Sequence, residues 1–323
     1  MRKVIKTMVM LFLAMNLSGC GMMMMQQQQQ QQNDFSEQQE HTSSDSDLSS
    51  DAGSELNSSE SFSVGERRIV SLMPSNTEIL AELGLGEEIE GISTADTYPE
   101  ALIGDPDVSK LDAFEFDVEQ LMALEPTHIL SHESSRAVHG SVLEEAAAAT
   151  GAEVIFIEEA DTVDEIPQTF IDIGGFTGED DMALEAARAF EEGLEEVAGQ
   201  AVHGEGQTVF LQVSSGPEIY TTGRNTFLHD VLEKAGAENI FEDLDGFVSV
   251  SYEEILARDP DYIVSVSGAD EGQLSEEVEA MRGIAGLSIK NTDRQCAIDP
   301  DLLTRPGPRL IEGMTELSEC FKN

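Results

Sequence analysis

A short pattern occurs twice in this chain, about 134 residues apart, and it restricts the folds open to it. Glu119-Gln120-Leu121-Met122-Ala123-Leu124-Glu125-Pro126 runs into Thr127-His128-Ile129-Leu130. Glu253-Glu254-Ile255-Leu256-Ala257-Arg258-Asp259-Pro260 runs into Asp261-Tyr262-Ile263-Val264. Each reads as a short helix, a proline that stops it, and a strand. A second echo precedes the first in both halves: Glu78 to Gly84 and Asp230 to Gly236, each a helix closed by a glycine. Because the echoes keep the same order, two similar lobes are the economical architecture.

The rest of the pattern fits that plan. Apolar β-rich runs, Arg68–Leu72, Val154–Ile157, Val209–Val213 and Tyr262–Val266, alternate with helical patterns, which predicts α/β lobes on parallel sheets. Between the halves, Ala183, Ala187, Phe190, Leu194 and Val197 recur at helical spacing from Asp180 to about Ala201. We read one long helix joining the lobes. The expected spans are 66–172 for the first lobe, 173–203 for the connection and 204–323 for the second lobe. Asp117 and Ser251 read as N-caps, with Gln120 and Glu254 completing capping boxes, and Ser75 with Glu78 reads as a third.

The N-terminus carries a different signal. Arg2, Lys3 and Lys6 precede an apolar run from Met8 to Met15, then Leu17-Ser18-Gly19-Cys20. That order is a signal peptide over 1–19, too short for a spanning helix. LSGC resembles a bacterial lipobox, which implies cleavage before Cys20 and a lipid on its thiol. Residues 20–65, with the glutamines Gln26 to Gln32 and a Ser/Asp/Glu-rich continuation, hold too few large apolar residues to offset their ordering entropy. They read as a disordered tether.

The formal charge is −47, and the three leader cations contribute +3 of it, so the remainder carries about −50. That balance disfavours nucleic acid as a partner, and none is expected, since phosphate binding needs clustered cations. The spread of acid over the whole chain reads as a solvated surface suited to high salt. With Cys20 assigned to lipid, Cys296 and Cys320 remain, and the sequence leaves open whether they are bonded.

Several motifs identify a resemblance. Arg68-Ile-Val-Ser-Leu-Met-Pro-Ser-Asn-Thr-Glu78, the Tyr98-Pro99 turn, the Glu-led helix before Pro126, Val250-Ser-Tyr-Glu253 and Arg305-Pro-Gly-Pro-Arg309 are similar to the binding proteins for cobalamin, ferric siderophores and haem. Val209–Val213 and Gly236–Phe241 are closest in pattern to cobalamin binders. The resemblance runs from about Arg67 to the C-terminus. It implies an α/β fold of two Rossmann-like lobes joined by one long α-helix, with a ligand cleft between the lobes. It implies a monomeric solute-binding lipoprotein that delivers a metal chelate, with cobalamin or a corrinoid favoured over a ferric siderophore or haem. The recipient is an ABC permease dimer with ATPase subunits. Docking is implied through one Glu per lobe, Glu119 and Glu253, against permease arginines. No cofactor is implied.

The same resemblance places the ligand against loops after strands: Pro74, Ser75, Asn76 and Thr77; Tyr98; Leu111 and Phe114; His132 to Arg136; Tyr220 to Arg224; Phe247; and Leu302 to Arg305. Arg136, Arg224 and Arg305 suit an anionic ligand group, since Arg recognises carboxylates and phosphates bidentately. The chain departs from the pattern by having no Trp. Leu111, Phe247 and Leu302 stand where cobalamin binders carry aromatic contacts, Ala95 stands for a tyrosine, and Ala235 for a disulfide cysteine. Enzyme signatures are incomplete: His132-Glu133-Ser-Ser-Arg136 lacks the second His of a zinc helix, and Leu83-Gly84-Leu85-Gly86 reads as a helix stop. A surface metal-dependent enzyme, or a lipid-anchored structural or sensor protein, is the alternative class.

Overall fold

A computed structural model describes residues 67–112, 118–200, 206–216, 218–281 and 283–322. The leader, the tether with Cys20, and the positions Phe114 and Asp117 lie outside the described residues.

The first lobe runs β1 (Ile69–Ser71), α1 (Pro74–Glu82), β2 (Ile89–Ser93), α2 (Glu100–Gly104), β3 (Ser109–Leu111), α3 (Val118–Ala123), β4 (His128–His132), α4 (Arg136–Thr150) and β5 (Glu153–Ile157). Its sheet has the order β3-β2-β1-β4-β5, every pair parallel. Helices join the strands, and the central strands β1 and β4 are almost wholly buried along their length. Ile69, Val70, Ile129 and Leu130 are fully buried. Each such side chain contributes about 1.5–3 kcal/mol of burial.

Next come α5 (Ile166–Thr177) and α6 (Asp180–Gln200). Ala183, Ala187, Phe190 and Val197 form the buried face of α6, as their spacing predicts, and Leu194 is half-buried. This helix of 21 residues is about 30 Å long. Its start lies so close to α5 that a Cβ on Gly174 would fall 2.2 Å from that of Ala183.

The second lobe runs β6 (Thr208–Ser214), β7 (Ile219–Thr222), α7 (Phe227–Lys234), β8 (Glu238–Asn239), β9 (Phe247–Val250), α8 (Tyr252–Arg258), β10 (Tyr262–Ser265), α9 (Glu271–Ala280), β11 (Gln295–Ala297), α10 (Pro300–Leu303) and α11 (Leu310–Cys320). The second half of α6 meets α11, where Gly193 faces Ile311. The sheet order is β11-β10-β6-β7-β9, with β8 on β6. This sheet corrects the expectation of a purely parallel lobe: β7 is antiparallel to both β6 and β9. Only residues 215–218 separate β6 from β7, too few for a crossover, so the chain turns back as a hairpin.

The repeat reaches the backbone. α3 and α8 both end in a non-glycine residue with φ +46, Glu125 and Asp259, directly before the stopping proline. A residue before proline is driven from the right-handed helical region, and here both take the left-handed one. The Ser251 capping box forms, with the Ser251 amide donating to Glu254 Oε2 at 2.8 Å and the Glu254 amide to Ser251 Oγ at 3.3 Å. Cys296 on β11 and Cys320 at the end of α11 are disulfide-bonded, their Cα atoms 6.2 Å apart. A closure of this length stabilises by roughly 3–4 kcal/mol through the unfolded chain.

Candidate functional site

Three segments meet where strands end: α1 after β1, the loop Thr94–Pro99 after β2, and the turn Asp299–Arg309 after β11. The first two belong to one lobe and the third to the other, so the C-terminal ends of the two sheets face each other. In open α/β sheets that edge is where ligands bind.

Glu78 is the centre of this meeting. Its carboxylate is buried and accepts from Arg309 Nη2 at 2.9 Å, Arg309 Nε at 3.2 Å and Arg305 Nη1 at 3.3 Å. Arg305 also donates to Thr97 Oγ1 at 2.9 Å and the Ala95 carbonyl at 3.2 Å, and pairs with Asp301 at 2.8 Å. Thr97 in turn donates to Asp301 Oδ2 at 2.5 Å. The Arg309 guanidinium lies over the Tyr98 ring, 4.4 Å from its centroid. The Ser75/Glu78 capping box of the sequence reading is therefore not formed. Pro74 occupies the first helical turn and moves the N-cap to Met73, which frees Glu78 to reach the other lobe.

Asp96 completes the cluster. It is buried, and neither carboxylate oxygen has a hydrogen bond. Burial pushes its carboxyl up to about 7, against the opposing pull of the nearby Thr77 hydroxyl and the Arg305 charge. The Thr77 hydroxyl lies 2.8 Å from Ser71 Oγ and 3.2 Å from the Met73 carbonyl, where its own bonds are made.

The lobes touch again on the other side, at the turn after β5. The Val163 amide donates to Asp230 Oδ2 at 2.7 Å, and Lys234 Nζ pairs with Asp164 at 2.6 Å.

The remaining expected ligand residues fall into distinct settings. Ser75, Asn76 and Thr77 are buried, and a Cβ on Gly307 would stand 3.9 Å from Ser75 Cα. The N-terminus of α1 is therefore covered, because the Arg305–Arg309 turn of the other lobe lies against it. Leu111 packs with Val70 and Leu121 in the first lobe's core, and Leu302 is buried with its backbone against Gly313 of α11. Arg305 is committed to the lobe contact. Tyr98 keeps one face accessible at 40% exposure. Arg136 pairs with Glu133 and lies over Phe156, 3.9 Å from the ring centroid. His132 is buried, its Nδ1 2.9 Å from Ser134 Oγ and 3.1 Å from Glu159. Tyr220 and Phe247 lie on one face of the β7–β9 ribbon, where Tyr220 pairs with Ser249 and Thr222 with Phe247. The Tyr220 hydroxyl donates to Glu218 at 3.1 Å. Arg224, just past β7, is exposed, and the structure shows it in no ion pair among the described residues.

Glu119 and Glu253 are each the second residue of their helix and are exposed. A depression of about 260 Å³ lined by Glu233, Gly236 and Glu242 lies at the opposite edge, where β6 begins. Among the described residues, no group of three or more His, Cys, Asp and Glu is placed to hold a metal ion, and no helix is long and apolar enough to cross a membrane. Sequence reasoning missed Asp96, Arg309 and Asp230. The signal for Arg309 was present: two arginines fall within five residues in a chain with only 17 Lys and Arg.

Two α/β lobes on one long helix, facing each other through the ends of their strands, define a solute-binding receptor. The chain belongs to the Periplasmic binding protein family, which matches residues 69–294, and it is an ABC transporter substrate-binding protein. It is 34% identical over 258 residues to the ABC transporter substrate-binding lipoprotein YvrC of Bacillus subtilis, covering 79% of this chain and 80% of that one. It is 25% identical over 263 residues to the cobalamin-binding protein of Halobacterium salinarum, covering 79% and 69%. Among solved structures, a candidate iron-binding (periplasmic solute-binding) protein of Staphylococcus epidermidis superposes with a TM-score of 0.71 at 36% identity, covering 80% and 99%.

Proposed function

We propose that this chain is a lipid-anchored extracytoplasmic receptor that binds a metal chelate, cobalamin or another corrinoid first, and hands it to an ABC permease. The observation that carries delivery is the repeated unit itself. Glu119 and Glu253 head matched helices that end in the same left-handed residue before proline, so each lobe presents one exposed carboxylate from an equivalent place. Helix-dipole stabilisation, worth a few tenths to 1 kcal/mol, accounts for an acid at either site but less well for the matched pair in repeated halves.

The corrinoid reading is supported by the relatives named for cobalamin and vitamin B12 in Halobacterium, Pectobacterium and Vibrio. Tyr98, Tyr220, Phe247 and Arg224 supply an aromatic and cationic lining on accessible faces. No bond is broken in this function; the receptor selects, holds and releases. The lipid on Cys20 keeps it at the membrane. A ferric siderophore or haem is the second reading, favoured by the iron-binding description of the Staphylococcus relative and by the lack of tryptophan.

Titrating the purified chain with cyanocobalamin, haemin and ferric hydroxamates separates the two. Saturable binding of cyanocobalamin at micromolar concentration or tighter is expected. Binding of a ferric chelate alone would overturn the corrinoid assignment.

A further inference from the structure

The two contacts between the lobes are related by the internal repeat. β10 and β8 flank β6 in parallel as β4 and β2 flank β1, and β11 lies beside β10 as β5 lies beside β4. Within that correspondence α7 stands for α1. Glu78 precedes Gly84 by the same interval as Asp230 precedes Gly236, and both glycines are left-handed, with φ +80 and +78. The two acids are thus equivalent residues.

Their partners are equivalent too. Glu78 crosses to Arg305 and Arg309, in the segment after β11. Asp230 crosses in the reverse direction to the Val163 amide, in the segment after β5. β11 and β5 are each an edge strand of their own sheet, on the side of β10 and β4 respectively. The contacts therefore lie on opposite sides of the interface, with the loops after β4 and β10 between them.

We infer that Glu78 and Asp230 are paired positioning residues, each reaching across to the segment behind an edge strand of the other lobe, β11 or β5, and that together they set the spacing of the ligand cleft. This rests on the reading of the chain as a two-lobed ligand receptor, and adds which side chains hold the lobes in place.

The two braces differ in strength. The Glu78 carboxylate is 1% exposed and its arginines 15% and 18%, so removing one partner leaves buried charge uncompensated. On the other side, the supporting Lys234–Asp164 pair is 30% and 64% exposed, where an ion pair contributes little. The Glu78 side is the firm pivot, and the Asp230 side yields first when the lobes are drawn apart.

Double electron–electron resonance tests this without any ligand. The full chain carrying Cys20→Ser, Val138→Cys and Glu276→Cys places one spin label on exposed α4 of the first lobe and one on exposed α9 of the second. The parent should give a single narrow distance distribution. Asp230→Ala with Lys234→Ala should add a longer component while thermal unfolding barely moves, and Glu78→Gln should broaden the distribution further. An unchanged narrow distribution in the Asp230→Ala/Lys234→Ala chain would overturn the proposal, and that arm decides the matter even where Glu78→Gln fails to fold. Failure of every chelate to bind would sink the receptor reading and leave these distances untouched, so the two failures are distinguishable.

Discussion

Asp96 sits two residues before Tyr98 with both carboxylate oxygens buried and unbonded, beside Arg305, Glu78 and the Thr77 hydroxyl. Its carboxyl is raised from 3.8 to about 7, a difference equivalent to about 4 kcal/mol. The sign follows from the raised value. Well below pH 4 folded and unfolded chains are both protonated there, and the difference in ionisation contributes nothing. As pH rises towards 7 the unfolded chain loses the proton while the folded chain keeps it, so stability falls until the folded group ionises as well. Asp96→Asn removes that slope. Denaturant unfolding should find the variant more stable than the parent at pH 8, with the gap closing towards pH 4; parallel pH profiles would contradict it. Nothing in the local sequence marks Asp96, because its character comes from burial by a turn about two hundred residues away. Glu78 was visible only as a local cap for the same reason. Pro74 displaced the cap, and the arginines that claim Glu78 lie in the other lobe.

At the scale of elements, the periodic segments were legible and the ribbon was not. Ala183, Ala187, Phe190 and Val197 announce α6 because a helix buried along one stripe writes that stripe into its spacing. The β7–β9 ribbon carries no comparable period. Its antiparallel turn is set by the brevity of residues 215–218, and an apolar run by itself does not state strand direction. The junction of α5 and α6 depends on a single missing side chain. Gly174→Ala would drive a Cβ against Ala183, and neither methyl can rotate away. Overpacking of this kind costs about 1–3 kcal/mol, which for a domain of this size lowers Tm by several degrees. Gly199→Ala near the end of α6 meets open space and should stabilise by up to about 1 kcal/mol. Calorimetry on the two variants should give shifts of opposite sign; equal shifts would show that the α5–α6 approach is looser than described.

At the scale of the molecule, the fold was written in the repeat. Two echoes in the same order implied two lobes, and the left-handed Glu125 and Asp259 show the repeat preserved at the level of φ. The disulfide was undecidable from sequence, since only the folded chain brings β11 and the end of α11 together. The ligand stays the least legible part, because the residues nominated for its pocket divide between core, lobe contact and accessible wall. The proposed function and the inferred braces make the molecule a receptor with two braced lobes and one docking carboxylate on each. The large negative charge makes that surface complementary to a basic partner and repellent to an acidic one. The most direct measurement is cellular uptake of the chelate selected by titration, in cells carrying Glu119→Lys with Glu253→Lys, alongside the purified variant's affinity for that chelate. The account predicts that uptake is abolished while affinity equals the parent's. Uptake at the parent's rate, or a variant that no longer binds the chelate, would contradict it.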